Sequence, residues 1–201
     1  MRSLTVIGHG RNSPERLRAA GGLFRSQCIG LNANDTTALV LKHYGGDFPY
    51  DSFRHMVSEW VRRQIKENGM PVKTGVVELL SYLKEAGYRI GLASSSRRET
   101  VMSHLTDAKL EQFFSVIVTG DMVEHSKPLP DIYLLACKQL QIRPEEAYAI
   151  EDSPNGIRSA YAAGMKPVMV PDLLAPDEEM ECLSFRIFQN LLEVRDFLRQ
   201  Q

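Results

Sequence analysis

Ala147-Tyr148-Ala149-Ile150-Glu151-Asp152-Ser153-Pro154-Asn155-Gly156-Ile157 reads as a short apolar strand that runs into two adjacent carboxylates and then directly into a helix. Ser153 is the N-cap candidate, because its hydroxyl can accept a free N–H of the first turn. Pro154 suits the first helical position, where no N–H is needed and φ is already set. Glu151 and Asp152 therefore fall at the carboxyl end of a buried strand, beside a helix N-terminus. Open α/β sheets bind ligands along that edge. Paired carboxylates there suit a hard cation such as Mg²⁺, which prefers oxygen ligands.

Two further segments end in the same way. Tyr88–Ser94 reads as a strand that opens into Ser94-Ser95-Ser96, whose hydroxyls and backbone N–H groups can hold a phosphate. Ser96 with Glu99 three residues later has the spacing of a capping box. Ser115–Gly120 is a third strand, followed by His125-Ser126-Lys127-Pro128-Leu129-Pro130-Asp131. Lys127 precedes a proline-started helix, so its ammonium can reach the same edge.

From Tyr88 onward strands and helices alternate. Helices are expected at Arg97–Thr106, Pro130–Leu140, Pro154–Ala163 and Leu191–Leu198, with a fourth strand at Pro167–Val170. Strands this apolar, separated by helices, predict a parallel sheet covered on both faces. Gly164 suits the residue that follows a helix end. The stretch before Tyr88 is helical instead, at Asp35–Tyr44, Asp51–Asn68 and Thr74–Ala86. In the second of these Phe53, Met56, Val57, Trp60, Val61 and Ile65 form one apolar stripe. Asp51 or Ser52 is expected to cap that helix and Gly69 to end it. A helical block ahead of the second strand reads as a lid over an α/β core, and a lid excludes water and adds substrate contacts.

The totals narrow the classes. The 201 residues suffice for one α/β domain with an insertion, and the net charge of −1 gives no reason to expect nucleic acid or a membrane surface as partner. No stretch approaches a membrane span, and the amino terminus lacks a signal peptide's apolar run. Cys28, Cys137 and Cys182 are odd in number and not spaced like metal ligands, which favours a reduced, cytoplasmic setting.

The chain resembles the haloacid dehalogenase superfamily, in particular its β-phosphoglucomutase-like phosphatases with a small helical cap. The resemblance runs from about Ile29 to Val170. It rests on Gly75-Val76-Val77-Glu78-Leu79-Leu80 leading into Leu92-Ala93-Ser94-Ser95-Ser96. It continues through Ser126-Lys127-Pro128 with Pro130-Asp131-Ile132-Tyr133, and ends on Glu151-Asp152-Ser153 with Asn155-Gly156-Ile157, Ala160 and Ala163-Gly164-Met165. It implies a Rossmann-like parallel sheet with helices on both faces and a small, here shortened, helical cap. Residues 1–28 would be an aberrant amino-terminal segment that includes the first core strand, 29–72 a partial cap, and 73–201 the core.

By the same resemblance, Ser94 would hydrogen-bond the transferring phosphoryl group and Lys127 would neutralise it. Asn155 would support the loop around the metal; Ser95, Ser96 and Arg97 are phosphate-contact candidates from their place after the strand rather than from the resemblance. Asp152 would ligate Mg²⁺, with Glu151 assisting directly or through the outer shell. The implied activity is a Mg²⁺-dependent phosphatase or phosphomutase acting on a small phosphorylated metabolite such as a sugar phosphate. The chain would be a monomer or weak dimer.

One part of the pattern is absent. The family's chemistry starts from an Asp-x-Asp motif at the end of the first strand, whose first aspartate is the nucleophile, yet no aspartate precedes Asp35. If Leu4–Ile7 is that strand, Gly8 and Gly10 stand where the two aspartates would be. Aligning instead on Ser13-Pro14-Glu15-Arg16-Leu17 moves the slot to Val6 and Gly8. Neither register restores a carboxylate, and Mg²⁺ binding should be weakened. The interval from Leu17 to Ile29 is also short for the cap helices. A frameshift, a truncated gene with an improvised start and a true pseudoenzyme all fit. The alternative function is therefore an inactive, phosphate-binding remnant or regulator.

The remaining polar residues have plain readings. His9 is a turn histidine with no orienting partner in sequence. His125 is a loop residue. Arg62 and Arg63 lie off the apolar stripe. Arg97 and Arg98 can reach a second anionic group of a substrate or stay solvated.

Overall fold

The computed structural model describes residues 5–8, 31, 33–172 and 174–201, the first four as backbone. Six strands form one sheet: β1 (Thr5–Gly8), β2 (Ile90–Ser94), β3 (Val116–Thr119), β4 (Tyr148–Glu151), β5 (Lys166–Met169) and β6 (Arg186–Ile187). Their order is β3-β2-β1-β4-β5-β6, and every pair is parallel. The chain builds outward from β1 to β2 and β3, then returns to β1's other side for β4. That reversal opens a crevice at the carboxyl ends of β1, β2 and β4.

The helices are α1 (Ala33–Tyr44), α2 (Tyr50–Asn68), α3 (Val76–Glu85), α4 (Arg98–Ala108), α5 (Asp131–Leu140), α6 (Pro154–Ala162), α7 (Glu178–Leu183) and α8 (Leu191–Arg199). One face of the sheet is closed by Tyr133, Ala136, Cys137 and Leu140 of α5 with Ala160 of α6. The other is closed by Leu79, Leu80 and Leu83 of α3, Val101 and Leu105 of α4, and Leu191, Val194 and Leu198 of α8. β2 is buried along its whole length, as a strand covered on both faces must be. The α/β sheet with two helical layers is thus the architecture the sequence predicts.

Gly75 shows how tightly the α3–α8 contact is made. Its φ of +86° is left-handed, and a Cβ there would lie 2.9 Å from the backbone nitrogen of Leu192. Only glycine combines that backbone with that approach.

Several local expectations are corrected. α4 starts one residue later than expected and Ser96 does not cap it: the N-cap is Arg97, which makes no side-chain cap bond. Asp121, just past β3, supplies the carboxylate instead, taking the Arg98 N–H at 3.1 Å. The Ser96 carbonyl accepts from the Gly120 N–H at 3.0 Å. Nor does Asp51 or Ser52 cap α2, which begins at Tyr50 after Pro49. Sequence reading also missed β6 and α7. At two and six residues, both are too short to show a period.

The stripe on α2 is not a closed lid core. No residue of α2 is buried; Val57, Trp60, Val61 and Ile65 are half-covered, while Phe53 and Met56 are 45% and 54% exposed. No described helix is long and apolar enough to cross a membrane.

Candidate active site

Three strand ends and one loop build the site. β1 lies between β2 and β4, so it fills the first-strand slot. Gly8 is level with Ala93, one residue before Ser94, and Ile7 is level with Ile150, one before Glu151. The described residues of β1, Thr5–Gly8, contain no carboxylate. His9, Gly10 and Ser13–Leu17 lie outside the described residues.

At the end of β4 the two carboxylates part company. Glu151 is buried and its Oε1 takes both the Lys127 ammonium and the Tyr133 hydroxyl, while Ser153 Oγ lies 3.5 Å from its Oε2. Lys127 is equally buried, with Nζ 3.5 Å from the Ala93 carbonyl and 3.4 Å from Tyr133 Oη. Lys127 thus comes to the end of β2, next to Ser94, carried on a loop whose Lys127–Pro128 peptide is cis. Burial and the Glu151 charge push the Tyr133 hydroxyl well above its usual range, so it stays a donor. Tyr133 and Lys127 together neutralise a carboxylate that could not be buried alone.

Asp152 points the other way. Its Oδ2 accepts from Lys73 Nζ at 3.2 Å; its Oδ1 is buried and has no partner among the described residues. Burial and the neighbouring Glu151 push its carboxyl up to about 6, against the opposing pull of Lys73 and Lys127. Ser153 caps α6 as expected, accepting the Gly156 N–H at 3.1 Å. Gly156 could not be another residue without a shift, since a Cβ there would fall 2.1 Å from the Glu151 carboxyl.

A cavity of about 100 Å³ opens beside Glu151 and Asp152, and Lys127 and Tyr133 are not among its lining residues. Ser94, Ser96, His104, Glu151, Asp152 and Lys73 contribute its polar lining; Leu80, Leu92, Val101, Leu105, Ile150 and Leu191 are among its apolar walls. Ser94 is buried, its Oγ accepting the Ser96 N–H at 3.3 Å, which fixes the turn after β2. Of the other expected contacts, Ser95 and Asn155 do not line the cavity, and Asn155 accepts from Arg158 at 3.1 Å. Arg97 is exposed and outside it. Arg62 pairs with Glu59 on the surface. His125 binds Asp131 at 2.9 Å, which raises its pKa, and stays a loop residue.

The donor set for Mg²⁺ is incomplete among the described residues. No three His, Cys, Asp or Glu side chains come together there. Glu151 is held by Lys127 and Tyr133, and an ammonium already sits on Asp152. Among the described residues Asp152 Oδ1 is the one buried carboxylate oxygen without a partner, whereas Mg²⁺ requires near-octahedral oxygen ligation.

Residues 25–170 match the family model described as haloacid dehalogenase-like hydrolase. The chain belongs to that family. Among curated relatives, protein CbbY of Cereibacter sphaeroides is 30% identical over 78% of this chain and 70% of its own length. YhcW of Bacillus subtilis is 45% identical over 56% of this chain, and a phosphorylated carbohydrates phosphatase of Thermotoga maritima 33% over 59%. The chain spans about half the length of these last two, 50% and 54%. Among solved structures, CbbY from Rhodobacter sphaeroides in complex with phosphate superposes with a TM-score of 0.78 over 96% of both chains at 24% identity. A β-phosphoglucomutase from Clostridium difficile gives 0.79 over 100% of this chain and 96% of its own, at 18% identity. These likenesses establish the β-phosphoglucomutase-like fold expected from the motifs.

Sequence reading singled out Ser94, Lys127, Glu151 and Asp152, and these do gather at one edge. It missed Lys73, which stands just before the Gly75 motif and carried no pattern of its own. Tyr133 falls within the Pro130–Tyr133 motif, but its role as donor to Glu151 is set by a contact across 18 positions that no local pattern marks.

Proposed function

We propose that this chain carries a phosphoryl-group site of the haloacid dehalogenase type. Its reaction class is hydrolysis or mutase transfer of a phosphoric monoester on a small phosphorylated metabolite such as a sugar phosphate. The supporting observation is the convergence of buried Ser94, buried Lys127 and Asp152 on one edge of the sheet. Phosphoryl transfer depends mainly on positioning and charge neutralisation, which a hydroxyl and an ammonium supply. In this reading residues 29–72 act as a shortened cap that selects substrate and 73–201 as the core. The family's Mg²⁺, which would help neutralise the phosphoryl group, would meet only Asp152 here and bind weakly.

A second reading is favoured by β1: a site that binds phosphate without turnover. Its described residues offer no carboxylate, and the sequence has no aspartate before Asp35. Covalent phosphoryl transfer without its nucleophile loses its central step.

The deciding experiment measures phosphate release from an aryl phosphate with and without Mg²⁺, beside calorimetric binding of inorganic phosphate. Release that is lost in Asp152→Ala supports the enzyme. Phosphate binding weakened in Ser94→Ala, with no release, supports the binding protein. Neither release nor binding by folded protein overturns both readings.

A further inference from the structure

Lys73 lies in the connection between α2 and α3, where the helical block joins the sheet domain. Its ammonium reaches carboxylates beyond two different strands: Asp152 Oδ2, just after β4, at 3.2 Å, and Asp172 Oδ2, after β5, at 3.4 Å. Asp152's side chain is 10% exposed, Lys73's 31% and Asp172's 48%. Lys73 is therefore anchored at its inner end and open to solvent at its outer one.

We infer that Lys73 is the built-in cation of this site: its ammonium bridges Asp152 and Asp172 and competes with a divalent ion for Asp152. Three observations carry this. The ammonium occupies the acceptor direction of Oδ2, while Oδ1 has no partner among the described residues. Asp152 Oδ2 therefore shares its lone pairs with the Lys73 ammonium while Lys73 is in place and offers both to a metal once it leaves. Mg²⁺ has to approach to about 2.0–2.1 Å, and a fixed positive charge beside the same carboxylate opposes it. Finally, Glu151 is neutralised separately by Lys127, so Lys73 and Asp152 act as their own pair. Lys73's exposure leaves it a path outward, so exchange with a metal needs no rearrangement of the sheet.

The inference concerns cation binding and holds whether or not the chain turns over substrate. Its test is Mn²⁺ binding to the full chain, followed by electron paramagnetic resonance of free Mn²⁺. Lys73→Met should bind Mn²⁺ several-fold more tightly than the wild type, the effect of a charge pair partly screened by solvent. Lys73→Arg should stay near wild type, and adding Asp152→Asn to Lys73→Met should abolish the gain. Unchanged or weaker Mn²⁺ binding in a folded Lys73→Met protein overturns the proposal. A second measurement needs no variant: amine-reactive labelling of wild-type Lys73, read by mass spectrometry, should rise when millimolar Mn²⁺ is added. Labelling that is indifferent to Mn²⁺ rejects the exchange as well.

Discussion

The Lys127 ammonium and the Glu151 carboxylate form an ion pair whose side chains are only 4% and 1% exposed, with the Tyr133 hydroxyl on the same oxygen. The pair joins the loop after β3 to the end of β4, and it divides the two adjacent carboxylates into separate duties. Glu151 fixes the lysine. Asp152 keeps a buried oxygen, Oδ1, without a partner among the described residues.

Breaking that pair from one side should be costly. Glu151→Gln leaves Lys127 charged and under-paired in a buried place, a loss of about 3–5 kcal/mol by the usual magnitude for such pairs. The double change Lys127→Met with Glu151→Gln should lose less than either single change, because no buried charge remains. Urea unfolding of the three variants checks the order; a double variant worse than both singles contradicts it.

Gly156→Ala should destabilise although alanine favours helix. The propensity gain is about 1 kcal/mol, but the added Cβ meets the Glu151 carboxyl at 2.1 Å, and Glu151 cannot move without releasing Lys127. A lowered thermal midpoint is expected, and a raised one would show that the Glu151 pair has slack.

Asp152 should give stability an unusual pH dependence. Its folded carboxyl sits at about 6, above the ordinary 3.8, chiefly through burial. The folded state therefore holds a proton that the unfolded state has already lost, and folding takes up a proton between roughly pH 4 and 6. The contribution of Asp152 is favourable below the unfolded value and is lost as pH rises through the folded one. Wild type should thus lose stability relative to Asp152→Asn across that window and run parallel to it above. Paired denaturant titrations at several pH values measure this, and parallel curves from pH 4 to 6 would exclude it.

Asp121→Ala should cost about 1 kcal/mol through loss of a helix cap. The carboxylate takes the first N–H of α4 and accepts from Thr119 Oγ1 at 2.6 Å. Glu99→Ala, at the expected but unformed capping box, should be close to neutral. The two thermal midpoints separate the alternatives.

Replacing Gly8 and Gly10 together with aspartate tests the first-strand slot. β1 pairs with β2 and β4 on its two sides, so Gly8 already stands at the correct end of the central strand. Weak aryl-phosphate hydrolysis at most is expected. A folded but inert double variant would argue that the register differs or that a fuller cap is required.

The sequence by itself determined the alternation of apolar strands with helices, because burial on both faces leaves continuous runs such as Ile90–Ala93. It also determined the Ser153–Pro154 helix start, because capping is local chemistry. It singled out Ser94, Lys127, Glu151 and Asp152 together, since each follows a strand at its carboxyl end or sits in the loop ahead of a helix. Only the tertiary structure decided what each carboxylate does. Glu151 and Asp152 are neighbours in sequence, yet the first meets Lys127 and the second Lys73. The cap on α4 was equally hidden, because Asp121 reaches Arg98 across 23 positions. Lys73 belongs with them: nothing local marks a lysine whose partners lie 79 positions away after β4 and farther still after β5.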